Sequence, residues 1–212
     1  MKMVILLLLT ALPLFPQGKD SFTRFIYCRE FPSGVYEKQC VDLKPDGIGE
    51  SRFKPRGAQE MPAAPLTLSP QGREKLVSVI AATQNLKDRD KYQSRRRVAN
   101  LGKKYLTLEM PSEKREAAFN YSDLKEVNTL ATFFDGLINQ ITIMQDIEAA
   151  ARYERLSVPE RLDQLENEIK IGRIGDPQGL VPGLDKIIED QRILEYARQH
   201  AQQMKSQILI SK

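Results

Sequence analysis

The chain has 212 residues, 28% of them charged and 41% hydrophobic, with no tryptophan. This is the composition of an ordinary folded chain with material for one substantial core or two small ones, and it excludes both a disordered and a membrane-embedded protein. The formal charge of +4 is unevenly spread. Residues 1–121 hold 21 Lys and Arg against 13 Asp and Glu (+8), and residues 122–212 hold 11 against 15 (−4). An anionic partner would therefore be steered to the first half, unless those cations merely face solvent.

Met1-Lys2-Met3 precedes the apolar run Val4–Leu9 and Thr10-Ala11-Leu12. A short basic start and about a dozen apolar residues predict a secretory signal peptide over 1–18, too short for an ordinary membrane span. Pro16 makes cleavage after Gly18 a poor small-x-small site, so an uncleaved N-terminal anchor is the alternative and the only membrane attachment the sequence suggests. The mature chain is expected to be secreted or periplasmic.

Residues 19–121 read as an α+β unit. Phe22–Phe31 and Tyr36–Leu43 flank the turn Pro32-Ser33-Gly34. A hairpin symmetric about Gly34 pairs Phe25 with Leu43 and Tyr27 with Val41 on one face, and Cys28 with Cys40 on the other, with Glu30 opposite Lys38. Cys28 and Cys40 are the only cysteines. Outside the cytosol they are expected to form a cross-strand disulfide, the competing state being two reduced thiols. After Pro45-Asp46-Gly47 a third strand is expected, with Val41 opposite Phe53. Residues 55–68, with Pro55, Pro62 and Pro65, read as a connecting loop. Ser69-Pro70 opens a helix that buries Leu76, Val79 and Ile80 and ends near Leu86.

Lys87–Lys104 is the most basic segment, eight cations against Asp88 and Asp90. Arg95, Arg96, Arg97, Lys103 and Lys104 are the candidate anion-binding residues, suited to lipid head groups, an envelope polymer or an acidic protein; a solvated loop is the competing reading. Nucleic acid is disfavoured as a partner by the signal segment. Alternation at Leu106/Leu108 and Ala117/Phe119/Tyr121 predicts a second hairpin, for a mostly antiparallel sheet of about five strands with one packed helix.

Residues 122–212 read as helices only. Val127, Leu130, Phe134, Leu137, Ile141 and Met144 make one face of a long helix over Ser122–Tyr153, with Gly136 as a small propensity cost. Phe133, Ile143 and Ile147 lie outside that stripe and decide between a spine joining the halves and a partner-docking face. Ser157-Val158-Pro159-Glu160 fits a capping box for a short helix. Gly172–Gly179 reads as an interhelical loop, and Leu184–Leu209 as one final helix packed antiparallel to the long one.

Neither a cofactor motif nor a metal-ligand set is present in the sequence. His200 is the sole histidine and is expected to be exposed. The carboxylate pairs Glu166/Glu168 and Glu189/Asp190 are of the kind any charged helix face supplies. Arg29-Glu30-Phe31-Pro32, Asp46-Gly47-Ile48-Gly49, Val98-Ala99-Asn100-Leu101-Gly102-Lys103-Lys104, Phe119-Asn120-Tyr121-Ser122 and Tyr153-Glu154-Arg155-Leu156-Ser157-Val158 occur in that order. By them the chain resembles an uncharacterised family of secreted acidobacterial proteins with no established activity. The resemblance implies a signal peptide, a small sheet and a helical C-terminal half, and no reaction; the cysteine pair is not expected of the family. The leading expectation is an extracytoplasmic, non-catalytic interaction protein. The alternatives are an envelope hydrolase built on carboxylates, or an inhibitor of an envelope protease presenting Pro32-Ser33-Gly34 or the 87–97 loop.

Overall fold

A computed structural model describes residues 22–99 and 102–210; the segment read as a signal peptide lies outside them. The first half contains β1 (Arg24–Glu30), β2 (Tyr36–Leu43), β3 (Ile48–Pro55), β4 (Ala64–Thr67), α1 (Pro70–Ala82), β5 (Lys103–Glu109) and β6 (Lys114–Phe119). The second contains α2 (Lys125–Tyr153), α3 (Val158–Lys170), α4 (Val181–Glu189) and α5 (Glu195–Ile210). This is an α+β fold. The strands form one antiparallel sheet in the order β4-β3-β2-β1-β5-β6.

The β1–β2 register is the one the side-chain pattern predicts: Phe25 opposite Leu43, Tyr27 opposite Val41, Cys28 opposite Cys40, Glu30 opposite Lys38. The next pairing is displaced by two residues. Val41 faces Ser51, and Phe53 faces Gln39. A two-residue slip keeps every side chain on its face, so Phe53 is still buried. The expected loop at 55–68 contains a sixth strand, β4. Pro65 sits in it because β4 is an edge strand, where a missing N–H need not break the ladder.

Helices cover one face of the sheet. The Phe134 ring of α2 stacks on Phe25 and Tyr27, with centroids 4.9 and 5.1 Å apart. The other face carries polar and charged side chains. Arg24 donates to Asp42 through Nε at 2.9 Å, and the Cys28–Cys40 disulfide lies there with Cα atoms 4.1 Å apart. Ser69 caps α1 by accepting from the Gly72 N–H at 3.0 Å. The helix ends at Ala82 rather than near Leu86, because Gln84, Asn85 and Leu86 turn to positive φ (50°, 52° and 58°) and carry the chain off the helix.

Two further expectations are corrected. Ser157 does not cap α3: its backbone is already helical, and its hydroxyl donates to the Glu154 carbonyl at 2.9 Å. The final helix is two, α4 and α5, because Asp190 accepts from the Arg192 N–H at 3.0 Å and closes a turn between them.

Apolar packing forms two clusters, and α2 belongs to both. Val127 to Ile138 pack with the sheet and α1, while Ile143 to Ala151 pack with α3, α4 and α5. Phe133, Ile143 and Ile147 are all buried, so α2 is the spine of the molecule. Between the clusters its residues turn polar. Gln140 is buried there and accepts from the Asp176 N–H at 3.0 Å. Asp176, 2% exposed, accepts from Ser69 N–H (2.7 Å) and Ser69 Oγ (2.5 Å), tying the start of α1 to the 171–180 loop.

Candidate functional site

The basic segment is irregular, with a short 3-10 turn at Arg89–Lys91, and is pinned to the end of β6. The Ser94 N–H donates to the Tyr121 carbonyl at 2.8 Å, and buried Tyr92 meets Phe119 edge-on with centroids 6.1 Å apart. This anchoring leaves Arg95 and Arg97 exposed. Arg96 Nε pairs with Asp123 Oδ1 at 3.2 Å, while Asp123 Oδ2 accepts from Ser94 Oγ at 2.6 Å. Lys103 and Lys104 are neighbours on β5 and so point to opposite faces of the sheet. Lys103 lies over the Tyr105 ring (5.1 Å), whereas Lys104 lies over Phe119 (6.0 Å) and donates to the Asn120 carbonyl at 3.2 Å. The structure therefore does not gather the five predicted cations into one cluster.

The acidic partner of Arg96, Asp123, does line a cleft with a different pair of cations. The cleft, of about 520 Å³, lies between α1, the first turns of α2 and the 172–175 loop. Exposed Lys75 of α1 and Lys125 of α2 stand on the rim, and buried Phe133 and Ile174 form part of the floor. Among the described residues neither lysine has an ion-pair partner. Sequence reading missed both, since they are fifty positions apart and neither falls in the conspicuous run.

A second feature lies at the polar seam between the two apolar clusters. Two adjoining clefts, about 330 and 320 Å³, share Arg29 and Asn139 and together run along α2. One wall is the exposed face of α2, where Thr132, Asp135, Asn139, Thr142 and Asp146 recur at helical spacing. The other is the end of the β1–β2 hairpin. The side chains between them are fixed against each other. Tyr27 OH donates to Asp135 Oδ1 at 2.8 Å, and Arg29 Nη1 donates to the same oxygen at 3.2 Å. Arg29 Nε donates to Gln39 Oε1 at 3.1 Å, and Gln39 Nε2 to Thr142 Oγ1 at 3.3 Å. Asn139 Nδ2 donates to Glu168 Oε2 at 2.8 Å and to the Arg173 carbonyl at 3.2 Å. Burial and, second, the Asp135 charge push the Tyr27 phenol well above its ordinary range, so it stays a donor. Tyr36, on the hairpin wall, is raised by burial and then by Asp146.

The hairpin turn is itself braced. Arg56 donates from Nη2 to the Phe31 carbonyl at 2.7 Å and from Nε to the Gly34 carbonyl at 3.1 Å. Cys28–Cys40 closes the strands two positions behind.

The carboxylates named in pairs from sequence go to separate partners. Glu168 meets Asn139, while Glu166 is held below its ordinary range by the hydrogen bond from Lys170, against the opposing effect of burial, with His200 adding to it. His200 is not exposed as expected: its ring is 22% accessible, with Nδ1 3.5 Å from Asp163 and Nε2 3.6 Å from Glu166. The α3–α5 packing draws it inward. Among the described residues no three His, Cys, Asp or Glu side chains are placed to hold a metal ion together, and no helix is long and apolar enough to cross a membrane.

Known protein families provide no model that matches this chain, and curated proteins provide no significant match.

Proposed function

We propose that this chain is an extracytoplasmic, non-catalytic binding protein, secreted or periplasmic, that engages an anionic partner through the cleft between α1 and α2. The observation that carries this reading is the arrangement of Lys75 and Lys125 on the rim of a cleft whose floor includes Phe133 and Ile174. Cations beside an apolar floor suit a partner that brings negative charge and apolar surface together. Asp123, on the same lining, is already engaged by Arg96 and Ser94, and the neighbouring Arg95 and Arg97 are exposed. The Cys28–Cys40 disulfide supports the location, since such bonds persist in oxidising compartments.

The test is binding to vesicles containing phosphatidylglycerol and, separately, to poly-glutamate, at low and raised salt. Lys75→Glu with Lys125→Glu should weaken retention about tenfold or more, and salt should weaken the wild type. Lys44→Glu with Arg152→Glu changes net charge equally at exposed positions elsewhere and should retain binding. Equal loss in both double variants would show that only net charge matters, and would remove the cleft from the proposal. The lipid and polymer arms separate a membrane head group from an acidic macromolecule.

One observation favours a second reading, inhibition of an envelope protease. The exposed Pro32–Val35 turn is held rigid by the Arg56 hydrogen bonds and the disulfide behind it, and preorganisation lowers the ordering cost of docking. Slowed hydrolysis of a chromogenic peptide by an envelope protease, abolished by Arg56→Ala, would support it.

A further inference from the structure

We infer that the seam groove along α2 binds an extended peptide segment carrying a basic side chain towards Asp146. The groove is distinct from the cationic cleft: Asp146 lies about 31 Å along α2 from Lys125 at the helical rise, and only Thr132 lines both features.

Its length, chemistry and charge all bear on the occupant. From Thr132 to Asp146 the α2 wall spans about 21 Å, the length of roughly six residues of extended chain. At its middle, Arg29 and Asn139 line both clefts. Arg29 spends Nε on Gln39 and Nη1 on Asp135 and lies 5.3 Å from the centre of the Phe31 ring, leaving Nη2 without an acceptor among the described residues. Asn139 spends Nδ2 on Glu168 and the Arg173 carbonyl, leaving Oδ1 as an acceptor. One fixed donor and one fixed acceptor suit the C=O and N–H of a peptide backbone. Because their other contacts hold both side chains in place, little ordering is needed on binding.

Charge sets the polarity. Arg29 is matched by Asp135 at 3.2 Å, and the Arg173 guanidinium stands 3.9 Å from Glu168. Asp146, exposed at the far end near Tyr36, has no cation paired with it among the described residues. An occupant that completes this pattern places a lysine or arginine there. The hairpin wall, with Phe31 and the 76% exposed Val35, offers apolar contact for a neighbouring side chain.

The experiment is selection of a random hexapeptide library on the immobilised full chain, in parallel on Asp146→Lys and on Thr142→Trp, which fills the groove. Asp146 is exposed, so its variant is expected to melt like the wild type, and circular dichroism checks that. The wild type should enrich Lys or Arg at one position, and Asp146→Lys should enrich Asp or Glu at the same position. A peptide selected on the wild type should bind Asp146→Lys about tenfold more weakly. Amide shifts in the wild type on adding that peptide should centre on Arg29, Asn139 and Thr142. An unchanged charge preference after the swap, enrichment undiminished by Thr142→Trp, or shifts centred elsewhere would overturn the inference. So would no enrichment at all, or a response to N-acetylglucosamine oligomers without one to peptides.

Discussion

Replacing Gly136 by alanine sets helix propensity against packing at one atom. Inside a helix, alanine is favoured over glycine by about 1 kcal/mol, so on propensity alone the variant gains stability. The surroundings reverse the sign. A Cβ at Gly136 would lie 2.6 Å from the backbone nitrogen of Gly175, 2.9 Å from its Cα and 3.1 Å from the Ile174 carbonyl carbon. These are main-chain atoms, so no side-chain rotation relieves them. The 174–176 segment would have to withdraw, pulling on buried Ile174 and on Asp176 with its hydrogen bonds to Ser69. Overpacking of this kind costs about 1–3 kcal/mol, and a backbone-on-backbone clash belongs at the upper end. The net loss is then about 2 kcal/mol, which lowers Tm by roughly 4–8 °C for a chain of this size. Thermal and urea unfolding followed by far-ultraviolet circular dichroism measure it. Gly183→Ala is the comparison: its Cβ meets only the flexible end of Met144, which can move aside, so little or no loss is expected. A Gly136→Ala protein as stable as the wild type, or more so, would refute the argument that Gly136 is required by contact with the loop.

Asp176→Ala should cost about 2–3 kcal/mol in urea unfolding, because it leaves the Ser69 N–H and hydroxyl without their charged acceptor. Cys28→Ser with Cys40→Ser should lose about 2–3 kcal/mol while keeping the β1–β2 register, read from unfolding and from cross-strand amide contacts by NMR. Asp190 is held down at about 2, against its ordinary 3.8, first by the hydrogen bond from the Arg192 side chain. A carboxyl lowered in the folded state contributes stability that is full above its unfolded value and is lost as pH falls through the folded one. The Tm difference between wild type and Asp190→Asn should therefore be present near pH 6 and shrink steadily from about pH 4 to about pH 2; a difference constant over that range would refute the pairing.

Much of the fold was legible because local patterns matched their tertiary use. The Cys28–Cys40 and Tyr27–Val41 pairs follow from period-two alternation about one turn, and the stripe from Val127 to Met144 has nothing to interrupt it. Other features depend on partners that a linear reading cannot place. Pro65 looked like a loop residue until β3 supplied an edge to join. The turn at 190–194 contains neither glycine nor proline, and its cause is a hydrogen bond from the Arg192 N–H to the Asp190 carboxylate. Gly136 reads as a propensity cost until Gly175 packs against it. The groove is an intermediate case. Asp135, Asn139, Thr142 and Asp146 are visible as polar positions beside the apolar stripe, but only the sheet brings Arg29 and Gln39 opposite them. The Lys75–Lys125 cleft left no local signal, because α1 and α2 meet only in three dimensions.

The sharing of α2 between both cores also means that neither is complete until that helix has been made. A chain made from its N-terminus can close the β1–β2 hairpin and its disulfide early, since the two cysteines are 12 positions apart. Phe25 and Tyr27 lack the Phe134 ring that stacks on them until α2 arrives, roughly a hundred residues later, although the β1–β5 pairing and α1 do not wait for it. A nascent or proteolysed fragment ending at 121 would therefore hold an oxidised hairpin and a sheet face covered by α1 but not by α2, a species prone to aggregate.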